Sequence, residues 1–253
     1  MSRTTRLNLL KVLGAVLALA IWWATSAAST NIYYPPMPDV LTGVVDYWLT
    51  GQGTEHLVSS LVNLFTGLAI AIVLGIVVGL LVGQVRLVDK AISPTFEFVR
   101  AIPATALVPF AMVLFGLGTE MKTFIIALGC FFPILLNVVD ACRALPPQLH
   151  DTTRSFNIRG PFRQLFVVVP AVAPRAASGI RVAIPLGLIL MVTSEMTGTN
   201  LGVGYILTTA QSSFNLSAVW GAIVILGVLG VLLNLVFAAL ERRTLRWHYD
   251  QAD

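Results

Sequence analysis

Six apolar stretches divide the chain: Leu9 to Ala28, Ser59 to Val85, Ile102 to Leu117, Met121 to Val139, Ala177 to Thr197 and Ser217 to Leu240. A helix of roughly twenty apolar residues crosses the hydrocarbon core of a bilayer. The pattern therefore predicts an all-α integral membrane protein with about six transmembrane helices. Pro103 and Pro109 interrupt the third stretch, so a broken or kinked helix is expected there. The first stretch follows Arg3, Arg6 and Lys11 and carries Trp22 and Trp23 near its far end, as interfacial aromatics do. It reads as a retained helix rather than a cleaved signal peptide, although Ala24 to Ser29 is rich in small residues.

The polar segments between these stretches differ in kind. Thr30 to Leu57 holds acidic residues but no Lys or Arg, and Val40 to Leu49 suits a short interfacial helix. Asp151 to Pro170 is the longest charged segment between the apolar stretches. Arg154, Arg159 and Arg163 alternate there with Phe156, Ile158, Phe162, Leu165 and Phe166. Ile158-Arg159-Gly160-Pro161 reads as a turn between two short helices, since Gly permits unusual backbone angles and Pro suits a first helical turn. Inside the second apolar stretch, Gly67, Ala71, Gly75, Gly79 and Gly83 recur every four residues. That spacing puts small residues on one face and predicts a close helix–helix approach.

Composition agrees with a membrane solvent: 57% of residues are hydrophobic and 11% charged, against about 25% charged in a soluble domain. With six spans, fifteen of the sixteen Lys and Arg fall on one side, Lys122 being the exception. By the positive-inside rule that side is cytosolic, as are both termini and the central loop. Cys130 and Cys142 lie twelve residues apart on one helix, about 18 Å, too far for a disulfide. They read as inert buried thiols.

Catalytic chemistry is not written here. The sequence has no phosphate-binding Gly-x-x-x-x-Gly-Lys-Ser/Thr loop, no His-Glu-x-x-His and no Gly-x-Ser-x-Gly. His56, His150 and His248 are far apart. Two carboxylates fall at span ends. Asp140 suits an interfacial role; Glu195 is either a helix-structure residue or a residue of a solute pathway.

Residues 151–170 resemble the cytoplasmic loop of permease subunits of bacterial ABC importers, which reads Glu-Ala-Ala, three residues, Gly, nine residues, Ile-x-Leu-Pro. Asp151, Thr152 and Thr153 occupy the Glu-Ala-Ala positions, Asn157 the Gly, and Val167, Val169 and Pro170 the last three. Arg100-Ala101-Ile102-Pro103, Ala106-Leu107-Val108-Pro109, Phe115-Gly116-Leu117-Gly118, Lys122, Phe131-Phe132-Pro133-Ile134 with Asn137, Gly179-Ile180-Arg181, Glu195-Met196 and Gly202-Val203-Gly204-Tyr205 look like the nitrate, sulfonate and taurine-type permeases. The resemblance covers about Leu57 to Arg243.

It implies a bacterial inner-membrane subunit that pairs with a second permease, expected to be a copy of itself, as one half of a pathway for a small solute such as nitrate, sulfonate or taurine. A separate ABC ATP-binding subunit would carry ATP and Mg; no cofactor is expected on this chain and no nucleic acid among its partners. An extracytoplasmic solute-binding protein would deliver the solute. The resemblance makes residues 144–170 the coupling loop, with Asp151, Thr152, Thr153, Arg154, Phe156, Asn157, Ile158, Arg159, Gly160 and Pro170 facing the ATP-binding subunit. The expected organisation is an N-terminal helix and extracytoplasmic segment (1–57), a permease core (58–243) and a cytosolic tail (244–253). The rival reading is a self-contained secondary transporter or channel, for which neither repeated halves nor coupling-ion ligands are visible in the sequence.

Overall fold

The computed structural model describes residues 3–49 and 51–249, with the side chains of 3–8, 11, 12, 15, 150, 248 and 249 excepted. Arg3, Arg6, Lys11, His150 and His248 thus lie outside the described side chains, and 250–253 outside the described tail. All regular structure among the described residues is helical. α1 is Arg3–Ser26, and α2, Met37–Gly43, runs on into a π turn, Val44–Leu49. α3 is Gly53–Gln84, α4 Arg86–Ala101 and, after a 3-10 turn at Ala104–Leu107, α5 is Val108–Phe115. α6 is Thr119–Arg143, α7 Pro147–Ser155 and α8 Gly160–Arg163. A π turn, Gln164–Val168, joins α8 to α9, Val169–Glu195. α10 is Val203–Ser212, α11 Leu216–Thr244 and α12 Arg246–Tyr249.

Among the described residues, four continuous helices are long and apolar enough to cross a membrane: α3, α6, the run Gly160–Glu195 and α11. The pair α4 and α5, bent by 79°, makes a fifth if counted as one broken span. α1 has 24 residues, and its described apolar part, Val16–Ser26, is shorter than a span.

The small-residue stripe of α3 lies against α6. A Cβ added at Gly67 would come within 2.6 Å of Ile126, at Gly75 within 2.9 Å of Ile134, at Gly79 within 2.7 Å of Val138 and at Gly83 within 2.7 Å of Cys142. Ala71, the remaining member, is fully buried. Partner numbers rise together along both helices, so α3 and α6 run parallel. Parallel neighbours need the chain between them to return to the starting end, and the broken pair α4–α5 is that return. α9 runs antiparallel to α6: Cys130 Sγ donates to the Ala183 carbonyl at 3.3 Å, while Gly179 meets Pro133 and Ile134 further toward the other end. Leu64, Ile125, Ile126, Ile134, Val138, Ala183 and Met191 fill the seam between these three helices. Lipid tails are as apolar as these side chains, so van der Waals fit rather than exclusion from water selects the seam. On α11, Val231, Leu235 and Val236 face outward, as a lipid-facing surface requires.

Two elements differ from the sequence reading. Residues 86–101, to which the hydrophobic pattern assigned no element, form α4, whose Val88, Ile92 and Phe96 recur every four residues and pack on Val82, Leu135 and Val139. The second arm of the 151–170 segment is not a separate short helix. From Gly160 it continues through the π turn into α9, giving one run of 36 residues. Pro170 lacks an N–H and its ring crowds the carbonyl four residues earlier; the wider π turn just before it absorbs both defects.

Candidate functional sites at the two ends of the bundle

At the end where α3, α6 and α11 finish, α7 and α8 project beyond the bundle. Pro147 starts α7, where its missing N–H has no helical role. The chain then reverses over residues 156–159, a few positions earlier than Ile158–Pro161. Phe156 N–H donates to Thr152 O at 3.0 Å, Asn157 N–H to Arg154 O at 3.0 Å and Ile158 N–H to Thr153 O at 2.8 Å. Asn157 adopts φ 54° and Gly160 φ 59°. Asn is among the few residues with a side chain that enter this left-handed region readily. Asn157 therefore supplies the backbone angle for which Gly is the usual choice.

The reversal displays apolar side chains. Phe156 is 73% exposed, Phe162 58%, Leu165 62% and Phe166 64%. The Phe162 and Phe166 rings lie 4.4 Å apart, forming one aromatic ledge. Asp151, Thr152, Arg154 and Arg159 are also exposed, Ile158 is half-buried and Thr153 is buried. Pro170 lies deeper, half-buried at the start of α9. Gln84 and Gln164 exchange side-chain hydrogen bonds of 3.0 and 2.7 Å. This pair ties the loop arm to the end of α3, and two glutamines eighty positions apart carry no sequence signal of it.

Ion pairs brace the same end. Arg143 pairs with Asp89 of α4 and, at 3.2 Å, with Asp140. Arg181 pairs with the buried Glu241 of α11 instead of reaching to the interface alone.

At the opposite end Glu195 is 1% exposed. Ser60 Oγ lies 2.8 Å from each of its carboxylate oxygens, and Gly204 N–H donates to it at 3.1 Å. Ser60 Oγ also accepts Val203 N–H at 2.9 Å, and His56 Nδ1 accepts Gly202 N–H at 3.2 Å. These residues cap the first turn of α10, whose N–H groups have no helical partners. Gly202 is at φ 127°, and a Cβ there would collide with the Glu195 carboxylate, so only Gly fits. Lys122, 4% exposed, donates to Leu201 O at 2.8 Å and stands near the same carboxylate. Asn63 Nδ2 approaches the carboxylate as well but misses hydrogen-bonding geometry, and Thr123 Oγ1 is likewise unpaired. The sequence marked Glu195 and Lys122 as unusual; that Ser60 and His56 join them depends on tertiary packing.

Among the described residues, no group of three His, Cys, Asp or Glu side chains could hold a metal ion.

Known proteins supply the remaining context. The chain is 28% identical to a putative ABC transporter permease protein of Methanocaldococcus jannaschii, across 96% of this chain and 93% of that one. It is 31% identical to a putative aliphatic sulfonates transport permease protein of Escherichia coli, across 91% of this chain and 88% of that one. Among solved structures, inward-facing MetNI methionine ABC transporter shares the fold, with a TM-score of 0.61 at 20% identity over 73% of this chain and 92% of that one. Residues 59–246 match the family described as binding-protein-dependent transport system inner membrane component, and with the parallel α3–α6 core and the projecting loop in place, the chain belongs to that family and is an ABC transporter permease.

Proposed function

We propose that this chain is the membrane subunit of an ATP-driven importer for a small organic anion. The observation that carries the reading is the loop at 147–166, where a water-facing reversal presents Phe156, Phe162, Leu165 and Phe166 between basic residues. Exposed apolar side chains rimmed by charge mark protein contact surfaces. In this reading Phe156 and Ile158 enter a groove of an ABC ATP-binding subunit, with Arg154 and Arg159 at the rim. ATP and Mg belong to that partner. The continuous run from Gly160 into α9 turns a push on the loop into movement of a spanning helix. A solute-binding protein delivers the solute at the end that holds Glu195, and a second permease completes the pathway. The relative named for aliphatic sulfonates supports an anionic solute. The end carrying the loop faces the cytosol, where the basic residues gather.

Phe156→Asp tests this. Burying a Phe contributes about 1.5–3 kcal/mol, so its loss should weaken copurification of the ATP-binding subunit at least tenfold. Arg159→Ala should cost less and vary with salt. Undiminished copurification and solute uptake in Phe156→Asp would remove the loop as the coupling element.

A further inference from the structure

The break between α4 and α5 borders a cavity that is open on one side. A cavity of about 440 Å³ lies between the break, α6 and α9, and its lining includes Arg100, Pro103, Thr105, Gly129, Phe132 and Leu190. On α6 the lining runs from Leu128 to Leu136, the middle of a helix that extends over Thr119–Arg143. At 1.5 Å per residue those limits stand roughly 14 and 10 Å from the two helix ends. The cavity therefore sits at the depth of the hydrocarbon core.

Three features say what the cavity holds. First, the chain leaves helical geometry at its wall. The last carbonyls of α4 and the first N–H groups of the following turn lack helical partners there. At bilayer depth such backbone is tolerated where it is buried in protein or lines a water-filled space. Second, the walls are otherwise apolar and closely fitted. A Cβ on Gly129 would collide with Leu190 and come within 3.3 Å of Ala104, so glycine there lets α6, α9 and the break meet. Third, Arg100 is the single charged residue of the lining. It also lines a second cavity of about 230 Å³ further along α6, with Asp89, Glu97, Asp140 and Arg143, so it stands at the junction of the two. In that lower space Arg143 is engaged by Asp89 and Asp140. Arg100 is held by Glu97 alone, one turn away on the same helix, with the two side chains 48% and 56% exposed. Glu97 takes only part of the guanidinium's five donors, which leaves the rest for another anion.

We infer that the cavity at the break is the solute-binding section of the transport path. It takes a small organic anion with an apolar body, the anionic head at Arg100 and Thr105 and the body against Phe132 and Leu190. Glu97 releases Arg100 when the anion arrives. The cationic junction admits the anion, and the carboxylates of the lower cavity keep it from being held too firmly. Glu195 lies outside this lining and serves α10 instead. The inference rests on the importer reading, since it assigns the path within that machine.

The test uses Thr105→Cys in a chain carrying Cys130→Ala and Cys142→Ala, purified with its ATP-binding subunit. The anionic reagent sulfonatoethyl methanethiosulfonate should modify position 105 at least tenfold faster than its trimethylammonium counterpart. Adding Arg100→Gln should reduce that preference below threefold, and Arg100→Lys should restore part of it. Millimolar ethanesulfonate should slow the anionic reagent at least threefold; tetramethylammonium should not. No reaction with either reagent would mean a lipid-filled cavity, and a charge preference indifferent to Arg100 or to ethanesulfonate would equally overturn the site. Copurification of the ATP-binding subunit is scored separately. Its loss in Phe156→Asp bears on the importer reading, whereas the reagent ratios bear on the cavity alone.

Discussion

Asn157 shows how one residue carries a loop. Its φ of 54° closes the reversal that puts Phe156 in water. Asn157→Gly should leave copurification of the ATP-binding subunit intact, because Gly adopts that angle freely. Asn157→Val should weaken it about tenfold, since a β-branched residue meets a left-handed penalty of roughly 1–2 kcal/mol. An equal effect of both substitutions would mean that the Asn side chain, not the backbone angle, matters. Glu195 makes the complementary case at the other end. Glu195→Ala strips acceptors from Ser60 and from Gly204 N–H, and unsatisfied buried donors cost about 1–3 kcal/mol each. Detergent-solubilised protein should therefore unfold at a lower temperature, with Glu195→Gln recovering part of the loss because an amide oxygen still accepts. Unchanged thermal unfolding in Glu195→Ala would remove the carboxylate from the capping of α10.

Elements were legible in proportion to how far one face dictates their residues. The four-residue recurrence of small side chains in α3 names the contact surface outright, and the proline interruption near 103 announces the bend. α4 was missed because its five charged positions masked the regular spacing of Val88, Ile92 and Phe96, whose partners come from α3 and α6. The second arm of the loop was missed for a related reason. Pro170 falls inside the run from Gly160, and only a π turn reconciles it with a continuous helix. Reaching from Ser60 to Val203, or from Gln84 to Gln164, needs three-dimensional proximity that no local pattern encodes. At this scale Gly79→Leu is the decisive substitution. Its side chain would enter the space of Val138, already 2.7 Å from a built Cβ, and overpacking costs about 1–3 kcal/mol or more. Expression and oligomer state on a native gel should both fall, while Val73→Leu, on the outward face, should behave as the parent. Normal assembly of Gly79→Leu would mean that α3 and α6 do not need their close approach.

For the whole molecule, the gathering of basic residues at the loop end predicts that this end faces the cytosol. With single introduced cysteines in intact cells, Ser212→Cys should react with an impermeant reagent added outside and Arg159→Cys should not. Strong outside labelling at 159 would invert the topology. The stacking of α3 on α6 also governs how such a molecule can move. From Gly67 on Ile126 to Gly83 on Cys142, each glycine of the stripe sets a bare backbone against a side chain of α6. Sliding one helix by less than a full turn, about 5.4 Å, would drive branched side chains into backbone. The two helices form a strut that can be tilted or carried but not sheared. On the importer reading, alternation between outward and inward openings pivots around it, and the chain is expected to yield where its hydrogen-bond ladder is already cut, at residues 102–103. A pair of spin labels across the strut would keep its spacing through the ATP cycle, while a pair spanning the bend would not.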